Sequence, residues 1–164
     1  MTALPAFPDL SALKLSALDF SAAHYTHIQL RFSDTDQMGH INNAAYAVYL
    51  ESSRLALTAS VNLTSLKVVL ARLELDYRRE VKLGQQVEIQ TVVTRFGSSS
   101  WAYASRLLAD GEVALEARSV QVQVESDMRP VPLSPATKAA LATYFAAELS
   151  LTVSSPTVSV SGRP

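Results

Sequence analysis

The stretch SDTDQMGHINNAAYAVYLESSR, Ser33–Arg54, decides how this chain is read. Its first ten positions are mostly small polar residues with one glycine, Gly39. From Asn43 the character changes: Ala44 to Leu50 are seven apolar residues in succession. Tyr46, Leu50 and Leu57 recur at helical spacing with Ser53 between them, and no Pro or Gly intervenes before Leu63. A helix that is apolar all round in its first two turns must be wrapped by other structure. Asn42 or Asn43 suits the N-cap, because its side-chain oxygen can accept a free amide of the first turn.

The flanks read as strands. In HYTHIQLRF (24–32) Ile28, Leu30 and Phe32 alternate with polar residues, which predicts one strand. Residues 69–78 alternate most clearly, with Val69, Ala71, Leu73, Leu75 and Tyr77 on one parity. Strands are then expected over 85–94, 101–108 and 112–125. RFGSSS (95–100) forms one turn and Asp110-Gly111 a two-residue hairpin, since both positions tolerate positive φ. The last strand changes parity, from Val113, Leu115 and Ala117 to Val120, Val122 and Val124, which predicts a β-bulge near Arg118. A second, peripheral helix is expected from Pro135 to Leu149. The order predicts an α+β fold, one antiparallel sheet covering one helix.

The 164 residues fit one domain, expected over 23–149, between an N-terminal extension (1–22) and a Ser/Thr/Pro-rich, flexible tail (150–164). Hydrophobic residues make up 48 % of the chain, enough for a real core. The net charge of −1 points to neither nucleic acid nor an anionic membrane as partner. There are no cysteines, which excludes disulfides, a thiol nucleophile and a cysteine-ligated zinc. No apolar run reaches membrane-spanning length. MTALPAFPDLSALKLSALDF lacks the basic start and continuous apolar centre of a secretory signal, so a cytoplasmic location is expected.

The chemistry is concentrated in the opening stretch. A helix N-terminus offers unpaired amides and the positive end of the helix dipole. Such amides stabilise an oxygen that gains charge during acyl transfer. A nearby carboxylate supplies the other half, as nucleophile or as a base on water. Asp34 and Asp36 each offer that carboxylate, and each also suits an Asx-turn. Gly39 lets the backbone approach a ligand closely.

DTDQMGHINNAAYAVYLESSR closely resembles the signature of hotdog-fold acyl-CoA thioesterases, the group typified by 4-hydroxybenzoyl-CoA thioesterase. In that family D-x-D-x-x-G-H-x-N-N-x-x-Y precedes the central helix. The strand-turn-strand body with its G-x-S-S turn matches too, so the resemblance spans about residues 24–148. It implies a hotdog fold, an antiparallel sheet wrapped around a central helix, and hydrolysis of a fatty or aromatic acyl-CoA with no cofactor and no metal. It implies Asp36 as catalytic carboxylate and the backbone N–H of Asn43 as the donor to the thioester oxygen. His40 matches a histidine that assists the carboxylate in some branches, including plant acyl-carrier-protein thioesterases. Those place an Asn two residues after the Asp, where this chain has Met38.

Glu51 is the rival carboxylate, because one branch uses a helix glutamate eight residues after the oxyanion amide. Eight residues of helix span about 12 Å, so Glu51 can serve only across a dimer interface. The competing structural reading is a Glu51–Arg54 ion pair at i, i+3. Arg78, Arg79, Lys82, Arg95 and Arg106 are candidate contacts for the CoA phosphates. Ser98, Ser99 and Ser100 could hold the pantetheine arm, and Tyr46 shapes the acyl pocket with Tyr49 and Leu50. The resemblance implies a homodimer or homotetramer with the site between chains, and an exposed sheet edge needs cover in any case. A hotdog enoyl-CoA hydratase or dehydratase, whose pattern resembles D-x-N-P-x-H, is one alternative. A non-catalytic acyl-thioester-binding protein is the other.

Overall fold

The computed structural model describes residues 14–147. Most of the N-terminal extension and the whole 150–164 tail therefore lie outside the described residues. The elements are β1 (His24–Ile28), α1 (Asn43–Ser60), β2 (Val68–Tyr77), β3 (Val87–Phe96), β4 (Ser100–Ala109), β5 (Glu112–Gln123) and α2 (Pro135–Leu141). The strands form one antiparallel sheet in the order β1-β3-β4-β5-β2, so β1 and β2 are its edges. α1 lies across one face, its Tyr46, Tyr49, Leu50 and Leu57 buried. This is the hotdog architecture that the motif implied.

The inner face, toward α1, carries two apolar clusters. One joins Tyr46, Tyr49 and Leu50 to Ile89, Leu107 and Leu115. The other joins Leu57 to Trp101, Tyr103 and Leu141. Between them runs a line of hydroxyls. Ser53 of α1 bonds Thr91 at 2.9 Å, and Thr91 bonds Ser105 at 2.9 Å. Ser53 thus satisfies the buried hydroxyls of the sheet instead of interrupting the apolar face of the helix.

Three sequence expectations need correcting. β1 ends at Ile28, not at residue 32. Phe32–Asp34 instead turn into a short 3-10 helix, where the Asp34 carboxylate accepts the Arg31 backbone N–H and the Asp34 N–H donates to the Arg31 carbonyl, and Phe32 is left 82 % exposed. No bulge occurs near Arg118. The parity switch marks burial on both faces: Leu115 and Ala117 face the helix, while Val120 packs with Ala102 on the outer face. The irregularities lie elsewhere, between Leu70 and Arg72 of β2, between Val93 and Arg95 of β3, and between Leu107 and Leu108 of β4, where Ala114 is the extra residue on β5. The last helix stops at Leu141, followed by a 3-10 turn to Tyr144, because Phe145 and Ala146 leave it to bond along β3 at Val93. The hairpin forms as expected, with Asp110 at φ 51° and Gly111 at φ 83°.

Residues 14–20 lie on the outer face of the sheet. Leu15, Leu18 and Phe20 are buried against Val92, Ala104 and Ala146. Arg106, a candidate phosphate contact, is occupied here: it donates to the Leu15 carbonyl at 2.9 Å and sits 3.8 Å from the Phe20 ring centroid.

Candidate active site

The two aspartates of the DTD run have different surroundings. Asp34 is buried. Its carboxylate accepts the Tyr49 hydroxyl at 2.7 Å and the Arg31 N–H at 3.0 Å, and it pairs with the Arg31 guanidinium at 3.2 Å. The Tyr49 hydrogen bond, more than the arginine, holds its pKa below the usual carboxylate value. The Tyr49 phenol is pushed up in turn, first by burial and then by the carboxylate. The Asp34 carbonyl accepts the Asn42 N–H at 2.8 Å. Asp34 therefore ties the loop to α1 at two points. This partnership escaped the sequence reading. Its signal was Tyr49 on the apolar helix face, since a buried phenol needs an acceptor.

Asp36 is exposed and heads a tight turn. Its Oδ1 accepts the N–H groups of Met38 at 2.8 Å and His40 at 3.1 Å. Its own N–H reaches the His40 carbonyl at 2.8 Å, and Gly39 closes the turn at φ 81°. One carboxylate oxygen is thereby fixed, and the other has no protein partner among the described residues. The His40 ring meets Glu80 at 3.0 Å. Lys82, which lies opposite His40 across the bridge closed by the Ile41 N–H on the Val81 carbonyl, pairs with Glu80 at 2.8 Å. The Lys82 hydrogen bond, and then His40, hold the Glu80 carboxyl below its usual pKa.

Asn42, not Asn43, caps the helix: its side chain accepts the Ala44 N–H at 2.9 Å. That leaves Asn43 as the first helical residue, with no acceptor for its N–H among the described residues. The Asn43 carbonyl accepts the Tyr77 hydroxyl at 3.0 Å, which links the helix start to β2. The Tyr77 ring meets Tyr46 edge-on at 5.4 Å.

These groups surround one cavity of about 290 Å³. Asp36, His40, Asn43, Tyr46, Arg78 and Arg79 line it, together with Tyr77 and Glu80. Arg78 is paired with Glu116 at 2.6 Å, and Arg79 is paired with Glu112. Glu51 is not at the cavity: it lies on the exposed face of α1. Glu51 acts on the Arg54 charge as expected but makes no close ion pair with it among the described residues, because Arg54 turns into the core and is only 5 % exposed. Arg95 and Ser98–Ser100 are also remote. Ser100 pairs with Val122, itself opposite Val69, whereas the cavity is at Tyr77. Eight strand residues separate the two ends, or roughly 26 Å.

Residues 30–141 match the family model of the thioesterase-like superfamily. The chain belongs to that superfamily. Membership makes it a thioester hydrolase. The chain is 29 % identical over 130 residues to the uncharacterized protein YsmA of Bacillus subtilis strain 168, covering 76 % of this chain and 86 % of that one. It is similar to the structure of a predicted thioesterase from Bacillus stearothermophilus, at 30 % identity and a TM-score of 0.68, over 75 % of this chain and 96 % of that one. A thioesterase from Thermus thermophilus, solved with coenzyme A and zinc, matches at 29 % identity and a TM-score of 0.68, over 75 % and 94 % of the two chains. Among the described residues of this thioesterase-like chain, no three His, Asp or Glu side chains are grouped to hold a metal ion. No described helix is long and apolar enough to cross a membrane.

Proposed function

We propose that this chain hydrolyses an acyl-CoA thioester at the Asp36–Asn43 cavity, releasing a carboxylic acid and the free thiol of CoA. One observation carries the reading: the Asp36 carboxylate and the unpartnered Asn43 amide line the same cavity. The thioester oxygen sits against the Asn43 N–H, at the positive end of α1, where its developing charge is stabilised. The free oxygen of Asp36 attacks the carbonyl carbon or takes a proton from the attacking water. The Met38 and His40 amides keep that carboxylate in place. His40 assists from the same rim. Arg78 and Arg79 exchange a glutamate for a CoA phosphate. The coenzyme A held by the similar Thermus protein supports CoA as the carrier.

A second copy completes the site. β2 is an open edge of ten residues. An antiparallel pair of such edges about a twofold axis brings the partner's Val69 end beside this chain's Tyr77. The partner's 98–100 turn then reaches the Asp36 cavity, from which its own copy is far removed.

A panel of acyl-CoAs with a thiol-trapping dye tests the reading. Release of thiol from a member is expected, and Asp36→Asn should lower turnover by about 100-fold or more while substrate still binds. Near-normal turnover in that variant would remove Asp36 from the mechanism and leave Glu51. Hydration of an enoyl-CoA without thiol release would identify a lyase instead.

A further inference from the structure

Under the second half of α1 lies a group of buried polar atoms that the chain itself leaves short of partners. The Nε of Arg54 and the side-chain oxygen of Gln121 have no hydrogen-bond partner, and the indole N–H of Trp101 and the hydroxyl of Tyr103 have none beyond each other. Arg54 is 5 % exposed, and Trp101 and Tyr103 are more deeply buried still. They form one site. Trp101 and Gln121 are direct cross-strand partners, the Trp101 and Tyr103 rings meet edge-on at 6.3 Å, and the Arg54 charge acts on the Tyr103 phenol. Three of the four groups are donors, and one of them belongs to a guanidinium. Glu51 acts on that charge from the exposed side of the helix but leaves the Arg54 Nε unpaired, and a buried guanidinium donor with no acceptor is unfavourable, so the site suits an incoming carboxylate.

A track leads there from the Asp36 cavity. The inward side chains of β2 run Tyr77, Leu75, Leu73 and Leu70, opposite Leu115, Ala117, Ser119 and Gln121 in turn. Tyr77 begins at the cavity wall, and Leu70 ends beside Gln121. None of the four is fully buried: Tyr77 is 44 % and Leu70 43 % exposed. Tyr103, beside Arg54, stands level with Leu73 through Ser119. The distance from the Tyr77 level to the Leu73 level is roughly 13 Å.

We propose that the acyl group lies along this leucine track and ends in a carboxylate, which Arg54 and Tyr103 bind. This rests on the thioesterase reading and adds the substrate class: acyl-CoAs whose acyl group is extended, apolar and ω-carboxylated. Beyond Glu51 of the same chain, which already acts on Arg54, the other source of a carboxylate is an acidic side chain of a second copy, and the experiment separates a substrate carboxylate from both.

Hydrolysis is measured on matched acyl-CoA pairs of increasing length, one member ending in methyl and the other in carboxylate. The wild-type chain should favour the carboxylate by about tenfold or more in kcat/KM, with an optimum near the track length. Arg54→Met, which keeps the volume, should abolish that preference, and Tyr103→Phe should weaken it. Circular dichroism confirms that both variants fold. Melting with free α,ω-dicarboxylic acids provides a readout independent of hydrolysis: the wild type should be stabilised by the diacid over the matched monoacid, and Arg54→Met should not. Equal treatment of the two acyl ends, or no differential stabilisation, would overturn the proposal even if thioesters are cleaved. A selective loss of self-association in Arg54→Met, with acyl preference unchanged, would overturn it in favour of the partner's carboxylate. If no acyl-CoA is cleaved but the diacid stabilises the fold, the anchor stands and the hydrolase reading fails.

Discussion

Asp34 and Asp36 are one residue apart and do unlike work. Asp36 faces the cavity, while Asp34 is buried between Tyr49 and Arg31. Because the folded chain favours the ionised form of Asp34, its contribution to stability is fully present above the pKa of an unfolded aspartate. That contribution is lost as pH falls through the lower folded value. Asp34→Asn should therefore melt earlier at neutral pH, by about 1–3 kcal/mol, and the gap to wild type should close in acid. Thermal melts at several pH values check this, and a gap that widened in acid would contradict it. The residues by themselves showed two suitable carboxylates, and only the family resemblance singled out Asp36. The distinction depends on a phenol fifteen residues away, delivered by the first two turns of α1.

At the scale of elements, the start of α1 matters most. Asn42 caps the helix and so leaves the Asn43 amide as the free donor. Asn42→Ala should cost about 1 kcal/mol in stability and lower kcat through a less ordered oxyanion donor. Denaturant melts and thiol-release kinetics measure the two effects. The helix, the Asp110-Gly111 hairpin and the antiparallel order were legible, because periodicity and turn chemistry are local signals. The end of β1, the supposed bulge at Arg118 and the length of the last helix were not. The first depends on a local exchange of bonds between Arg31 and Asp34 that no periodicity announces, and the other two on partners distant in sequence, the outer-face neighbour of Val120 and the pairing of Ala146 with Val93.

For the whole molecule, the remoteness of Ser98–Ser100 from Asp36 carries a prediction about assembly. If one copy supplies the carboxylate and the other the serine turn, two crippled variants should rescue each other. Mixing an Asp36→Asn chain with one carrying Ser98→Ala, Ser99→Ala and Ser100→Ala should restore thiol release, because each hybrid pair retains one intact site. Absence of rescue from subunits shown to exchange would place the whole site within a single chain. The sequence placed these serines in a turn, which holds for Ser98 and Ser99 while Ser100 opens β4, but it could not show their separation from Asp36, since strand register alone sets it.

Residues 14–20 carry a practical consequence for anyone trimming this protein to its matched region. A version beginning at residue 23 would keep every group around Asp36, yet it would lay bare Val92 and Ala104 and strip Arg106 of its aromatic neighbour. The resulting greasy patch on the back of the sheet invites clumping. Poor solubility of such a shortened protein would say nothing against its chemistry.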